Sequence, residues 1–246
     1  SGWVNLGTYR SQIVDRNTVT FHSVPGRHGA IIAKKYWDRG LSCPIAMVCG
    51  QGPRLWISAV SPVPIGINEY DWAGGLRKRP VEVVKGETVD LPIPAEAEIV
   101  LEGEMPPPQT ASASEGPFGE WEGYYSGGKT PHPVMKIKAI LHRNDPIQFG
   151  VPMLVGAHDD NLIMAVDLSA QLWAEFDRQI AGVTGVSFIY EARRRPMVVV
   201  SLKQMYPGHV KQAALIAAGS YRGATLVGRF VIIVDDDIDP TNLTEV

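Results

Sequence analysis

The stretch AEAEIVLEG, residues 95–103, shows the pattern that decides the fold of the first two-thirds of the chain. Its apolar centre, residues 99–101, is short and β-rich, and charged and glycine residues follow at once. The same texture of short apolar runs between Gly and Pro returns at residues 30–35, 44–49, 55–60 and 134–141. This texture is typical of a barrel or a sandwich, and we expect a strand at each run.

The pattern changes from about Asp159. We expect an α/β succession there, with a helix, a strand, a second helix and a second strand at residues 169–181, 197–202, 209–218 and 230–234. The Pro-rich segment 105–113 is typical of an extended loop or linker inside the first part rather than of a domain boundary.

Composition excludes several classes of function. The chain has 246 residues, 45% of them hydrophobic, which is ample for a buried core. A net charge of -3 and a pI near 6.1 leave no broad basic field for nucleic acid and no polybasic segment for an anionic membrane. No apolar run is long enough to cross a bilayer and residues 1–20 lack the apolar core of a secretory signal, so we expect a cytoplasmic protein. Cys43 and Cys49 are expected to be buried free thiols.

The strongest local signal for chemistry is EGPFGE, residues 115–120. Its Gly and Pro residues fix a tight turn, and such a turn can aim the carboxylates of Glu115 and Glu120 at one spot. Two acids in one desolvated site have their pKa values pushed apart, so that one of them can act as a general acid near neutral pH. The alternative is a solvated surface turn, and spacing alone leaves both interpretations open.

A second candidate set begins near the N-terminus with Asn5 and continues with His28 and Glu69. An amide oxygen, an imidazole and a carboxylate suit Mn²⁺ or Mg²⁺ better than structural zinc. No fixed ligand spacing links the three residues. A hydrogen-bonded structural role for His28 therefore remains the alternative.

The chain resembles the UbiD-type decarboxylases, which are reversible decarboxylases that use prenylated flavin mononucleotide (prenylated FMN). The most specific matching segments are AEIVLEG and EGPFGE. The others follow the order of that family along nearly the whole chain: residues 5–10, Arg27-His28, residues 64–74, and VDDDIDP at residues 234–240.

The resemblance implies a metal and cofactor site. Asn5, His28 and Glu69 are similar to the family's ligands for a divalent metal, Mn²⁺ or Mg²⁺, which bridges to the cofactor phosphate. A monovalent cation such as K⁺ is a further cofactor that the resemblance allows. The residues implied to bind the cofactor are Asn5, Leu6, Gly7, Thr8, Tyr9, Arg10, Arg27, His28 and Glu69.

The resemblance also implies the catalytic roles. Arg10, Glu115 and Glu120 match the family's Arg-Glu-Glu set, in which the prenylated flavin takes up the electrons released as carbon dioxide leaves. Arg10 would orient the substrate carboxylate, Glu120 would protonate the carbanion-like carbon, and Glu115 would hold Arg10.

The fold that the resemblance implies is of the α+β class. A split β-barrel similar to flavin reductases, residues 1–157, would bind the flavin, and an α/β domain, residues 158–246, would close over the substrate and carry oligomer contacts. The substrate pocket would include Val24, Trp121 and Ala165. A large Trp facing a small Ala favours a planar aromatic or heteroaromatic acid, although Trp121 is equally compatible with an ordinary core position.

The leading hypothesis is a reversible non-oxidative decarboxylase of an aromatic, heteroaromatic or α,β-unsaturated acid. It would form a homodimer or higher oligomer and receive its cofactor from a flavin prenyltransferase. Family members are considerably longer, so we expect a core that lacks both flanks. One alternative is a flavin-binding or assembly core without turnover in this form. Another alternative is a flavin reductase. The chain shows no Gly-rich dinucleotide fingerprint, which argues against that function.

Overall fold

The computed structural model describes residues 2–119, 125–148, 150, 159–189, 197–220 and 230–246. The described parts of residues 1–118 and 127–150 form one compact unit, and those of residues 119–126 and 151–246 form another. The fold is of the mixed α+β class that we expected. The expected boundary between residues 157 and 158 falls outside the described residues and stays a prediction.

The helices and strands are numbered in chain order. They are β1 (Ile13–Asp15), β2 (Thr18–Thr20), α1 (His28–Trp37), β3 (Cys43–Cys49), α2 (Pro53–Val60), α3 (Glu69–Arg77), β4 (Val83–Lys85), β5 (Pro92–Pro94), β6 (Ile99–Met105), β7 (Ser112–Glu115), β8 (Phe118–Gly119), β9 (Tyr125–Ser126), β10 (Thr130–His142), α4 (Asp159–Phe176), β11 (Val183–Ile189), β12 (Met197–Leu202), α5 (His209–Gly219) and β13 (Phe230–Asp235).

The main sheet of the first unit has the strand order β1-β2-β10-β6-β3, with β7 paired to the first residues of β10. All of its pairings are antiparallel. Alternate residues of β3, namely Cys43, Ile45 and Met47, face one cluster of apolar side chains, to which α1 contributes Ala33 and Trp37. Within the described residues the sheet does not close into a barrel.

Strands lie where we expected them at residues 44–49, 99–101 and 134–141, but the runs at 30–35 and 55–60 are helical, so those two expectations were wrong. In α1 the apolar residues recur at helical spacing, with Ile32 and Tyr36 packed on the cluster that surrounds the buried Ala33. In α2 the proline at the first helical position favours a helix start. Tertiary packing of one helix face overrode the β propensity of these short runs.

The second unit contains a sheet of order β11-β12-β13, antiparallel in its first pair and parallel in its second. Leu168, Leu172 and Phe176 follow one another at i, i+4 on α4 and are buried in the core of this unit. The helix begins at Asp159 and ends at Phe176, so the expected range of 169–181 was shifted toward the C-terminus. The elements β12, α5 and β13 lie within one residue of their expected ranges, whereas β11 was not expected.

Cys43 and Cys49 are free, as expected, but only Cys43 is buried; the expectation that Cys49 is buried was wrong, since it is half-buried. Burial raises the pKa of the Cys43 thiol to about 11 and also raises that of Cys49. Neither environment favours a reactive thiolate. No helix among the described residues combines the length and the apolarity that a membrane crossing needs.

The AEIVLEG segment is explained by structure rather than by catalysis. The fully buried Glu102 accepts hydrogen bonds from the Glu87 amide (3.0 Å) and from the Thr88 amide (2.6 Å) and hydroxyl (2.8 Å), which holds the turn between β4 and β5. The next residue, Gly103, is a glycine because a Cβ at this position would lie 2.0 Å from the backbone oxygen of Lys136 on the paired strand. Desolvation alone would raise the pKa of Glu102, but the combined hydrogen bonds outweigh it and lower the pKa.

We expect Glu102→Gln to lower the free energy of unfolding by about 2–4 kcal/mol, because an amide leaves at least one buried donor without its charged acceptor. Since the folded-state pKa is depressed, the stabilisation is present above the unfolded pKa of about 4.3 and is lost as pH falls through the folded pKa. Urea unfolding at several pH values measures both effects.

Glu104→Gln is the matched control on the same strand. Its carboxylate pairs with Lys138 at the surface, so we expect a change within about 1 kcal/mol. Equal effects of the two substitutions would contradict the role given to the buried carboxylate.

Candidate active site

The side chain of Glu69, on α3, contacts both the N-terminal segment and His28 of α1. This side chain is 2% exposed, and its carboxylate accepts hydrogen bonds from Asn5 Nδ2 (2.7 Å) and from the Leu6 amide (3.0 Å). His28 Nδ1 lies 3.5 Å from the same carboxylate. The structure therefore brings Asn5, His28 and Glu69 together, although their role as metal ligands stays a prediction.

Local sequence explains how this arrangement is positioned. Asn68 caps α3 by accepting a hydrogen bond from the Tyr70 amide at 3.0 Å, which puts Glu69 in the first helical turn. Gly26 adopts a positive φ of 85° just before α1, and His28 is the first residue of that helix. Trp3 packs edge-on against the His28 ring with centroids 5.1 Å apart, so the imidazole has a fixed orientation.

Tyr9 connects the Asn5 side chain to helix α1 by hydrogen bonds. Its hydroxyl donates to Asn5 Oδ1 at 2.6 Å and accepts from the Gly29 amide at 3.0 Å. Desolvation by burial, the largest contribution, raises the pKa of Tyr9 to about 12. A Cβ at Gly7 would lie 2.6 Å from the Tyr9 ring and one at Gly29 would lie 2.3 Å from its hydroxyl, so a larger residue at either position would displace the Tyr9 side chain.

Leu6, Thr8 and Arg27 are further residues that we expect to bind the cofactor. Leu6 packs against the apolar cluster of Leu55, Tyr70 and Ala73. Thr8 is exposed, and Arg27 is the half-buried residue that immediately precedes α1. Leu6 directly follows Asn5 and Arg27 directly precedes His28 in the chain, and contact with a cofactor stays a prediction for all three residues.

The Arg10 and Glu115 side chains form an ion pair between Nε and Oε1. Glu115, the last residue of β7, is 1% exposed, whereas Arg10 is exposed at the surface and its Cζ lies 4.4 Å from the centre of the Phe118 ring. The buried partner fixes the cation, and the cation keeps a face toward solvent. Glu120 lies outside the described residues.

The turn after Glu115 is held by a residue that sequence reasoning missed. Gln12 Oε1 accepts a hydrogen bond from the Gly116 amide at 3.2 Å, and Gly116 has a positive φ of 88°. Gln12 carries no recognisable motif, so no sequence signal could have identified it.

Two further residues that we missed, His22 and His132, lie beside Glu115. Their Nδ1 atoms are 3.3 Å apart and their rings meet edge to face. Each is a single histidine without a motif, and only the pairing of β2 and β7 with β10 brings them together.

The described residues do not test the expected substrate pocket, because its members lie in different units or outside the described part of the chain. Val24 is 51% exposed in the first unit, and Ala165 packs half-buried against the core of the second unit. Trp121 lies outside the described residues. The pocket therefore stays a prediction.

Comparison with known protein families covers both parts of the chain. Residues 1–156 match the family described as the 3-octaprenyl-4-hydroxybenzoate carboxy-lyase Rift-related domain. Residues 161–246 match the C-terminal domain of the same carboxy-lyases.

Solved structures of UbiD-class decarboxylases are also similar. The open form of vanillic acid decarboxylase from Sedimentibacter hydroxybenzoicus is 32% identical, with a TM-score of 0.80 over 98% of this chain and 50% of its own. An evolved dimeric form of HmfF from Pelotomaculum thermopropionicum, in complex with prenylated FMN, is 28% identical, with a TM-score of 0.88 over 100% of this chain and 55% of its own.

A third similar structure is apo 3,4-dihydroxybenzoic acid decarboxylase from Klebsiella pneumoniae. It is 27% identical, with a TM-score of 0.79 over 97% of this chain and 50% of its own. The chain therefore spans about half the length of each of these proteins.

Proposed function

Because the chain belongs to the UbiD family of carboxy-lyases, we propose that it forms the core of a reversible non-oxidative decarboxylase. The substrate would be an aromatic, heteroaromatic or α,β-unsaturated carboxylic acid. The observation that carries the proposal is the pair of Arg10 and buried Glu115, because it offers a fixed cation to a substrate carboxylate.

The proposed cofactor is prenylated FMN, supported by the complex of the similar HmfF with that group. When bound, it would supply the electron sink for loss of carbon dioxide. The donor set of Asn5, His28 and Glu69 fits a hard divalent ion, Mn²⁺ or Mg²⁺, since it combines an amide oxygen, an imidazole nitrogen and a buried carboxylate. Asn5 Oδ1 accepts from Tyr9 and keeps a second lone pair for a metal.

We assign separate roles to the three catalytic candidates. Arg10 would bind the substrate carboxylate, with its side chain held by Glu115 and by the face of the Phe118 ring. Glu120 would deliver a proton to the carbon that loses carbon dioxide. Glu115 acts through Arg10 and is a positioning residue.

Several finer features belong to the same proposal. The first unit would be the split β-barrel domain, residues 1–157, and the α/β domain, residues 158–246, would supply Ala165 to a pocket with Val24 and Trp121. Assembly as a homo-oligomer, supply of the cofactor by a flavin prenyltransferase, a bound K⁺ and a cytoplasmic location are likewise proposed.

A second candidate function is a flavin-binding or assembly core without turnover in this form. The chain spans about half the length of the similar enzymes, so cofactor binding and turnover are tested separately. A flavin reductase receives no support, because both family matches are to carboxy-lyases.

One experiment separates these functions. The protein is co-expressed with a flavin prenyltransferase, its visible spectrum is recorded, and carbon dioxide release is measured with aromatic, heteroaromatic and α,β-unsaturated acids. Release from one class supports the decarboxylase. A bound prenylated flavin without release from any acid supports the binding core, and the absence of both contradicts both functions.

We expect Glu69→Gln to weaken Mn²⁺ binding by at least about 10–100-fold, because the neutral amide removes a charged ligand. The same change should speed hydrogen exchange of the Leu6 amide, because this amide donates a hydrogen bond to the Glu69 carboxylate in the wild type. Electron paramagnetic resonance titration of free Mn²⁺ and exchange measured by NMR provide the two readouts.

Asp71→Asn is the matched control, since Asp71 lies in the same first turn of α3 but is exposed. It removes one negative charge without touching Asn5 or Leu6. Unchanged Mn²⁺ affinity in Glu69→Gln would remove this residue from the metal site, whatever the exchange rate shows.

A further inference from the structure

A second cluster of metal-ligating side chains lies on the other side of Glu115. His22, Glu115 and His132 each offer one ligand atom, and these atoms all lie within 4.8 Å of one another. Strand pairing explains the convergence. Glu115 pairs with Thr130 two residues from His132 on β10, and His22 follows β2, which pairs with the same strand.

The carboxylate of Glu115 has an unfilled acceptor. Its Oε1 binds Arg10, whereas Oε2 is buried and has no hydrogen-bond partner among the described residues. A buried acceptor without a partner costs about 1–3 kcal/mol. A bound cation would satisfy this oxygen, and a carboxylate next to two imidazoles is a donor set that binds one.

The spacing of the imidazoles fits a tetrahedral ion better than an octahedral one. Two nitrogens at 2.0–2.1 Å from a tetrahedral ion are about 3.3 Å apart, whereas cis nitrogens on an octahedral ion at that distance are about 2.9 Å apart. The observed Nδ1 to Nδ1 distance is 3.3 Å. His132 Nε2 is 2.9 Å from the Thr130 hydroxyl, an outer contact of the kind that orients metal-bound histidines.

We propose that His22, Glu115 and His132 form a binding site for a borderline divalent transition metal of the Zn²⁺ or Co²⁺ class. The site is separate from the hard-ion site of Asn5, His28 and Glu69, and it does not depend on the decarboxylase proposal. Both imidazoles are half-buried, so the site has an approach from solvent. Water or a small anion would complete the tetrahedron.

The test is calorimetric titration of the chelator-treated protein with Zn²⁺. We expect a Zn²⁺ binding event that persists in Glu69→Gln and that is weakened at least about 100-fold by His22→Gln or His132→Gln, and about 10-fold by Thr130→Val. His142→Gln controls for loss of a histidine from the same strand, because His142 is exposed. Glu69→Gln controls for the other metal site. Both controls should retain the binding.

Two readouts on the wild type do not rely on variant folding. Co²⁺ should give the intense visible bands of tetrahedral coordination, and Zn²⁺ should shift the imidazole resonances of His22 and His132 in NMR spectra. Zn²⁺ binding that is equal in His22→Gln, His132→Gln and the wild type would overturn the proposal, as would wild-type imidazole resonances that Zn²⁺ leaves unchanged. In that case the contact is an ordinary hydrogen bond between the two imidazoles.

Discussion

Glu120→Gln is expected to slow carbon dioxide release by about 10²–10⁴-fold, which is the range attributed to a positioned general acid. The amide keeps the shape of the side chain but cannot deliver a proton to the substrate carbon. Cofactor content and the unfolding midpoint should remain at wild-type values, because the loss is confined to the transition state. Single-turnover release of carbon dioxide and the visible spectrum of the purified variant measure the two properties.

Glu104→Gln is the control for Glu120→Gln, since it makes the same change at a carboxylate that pairs with Lys138 at the surface. We expect its turnover to stay close to that of the wild type. Near wild-type turnover of Glu120→Gln would show that the proton comes from another group, most simply Glu115 or water, and would remove the role assigned to Glu120.

The fold was predictable where apolar runs pair inside a sheet, as at β3, β6 and β10. It was not predictable at α1, where the neighbouring β-branched residues Ile31 and Ile32 suggested a strand. The helix forms because Ala33 and Trp37 pack one face onto the strands of the main sheet, and that contact is set by residues far along the chain.

The candidate site shows the same division between local and distant information. The EGPFGE turn is a local signal, and the positive φ of Gly116 agrees with it. The convergence of Asn5, His28 and Glu69 was implied by family resemblance and by no spacing rule, because it depends on how α1 and α3 meet the N-terminal segment. His22 and His132 had neither kind of signal, since strand pairing alone makes them neighbours.

We expect Glu115→Gln to lower turnover by about 10²-fold and also to move the pH dependence of the rate. The Gln oxygen can still accept from Arg10 Nε, but the buried negative charge that fixes the guanidinium is lost. With that carboxylate neutral and Arg10 still cationic, the ionised form of the proposed acid, Glu120, becomes more favourable, so its pKa falls. The alkaline limb of the rate profile should then move to lower pH.

The rate profile separates this role from that of the acid itself. Glu120→Gln removes the titrating acid, so its residual rate should no longer decrease at alkaline pH. Glu115→Gln should still show this alkaline decrease, but at a different pH. The matched control is Glu96→Gln, which breaks the surface pair of Glu96 with Arg77 and should change neither rate nor profile. If Glu115→Gln lowers the rate at every pH but leaves the pH of the alkaline limb unchanged, Glu115 positions Arg10 but does not influence the acid. An unchanged rate would remove Glu115 from the active site.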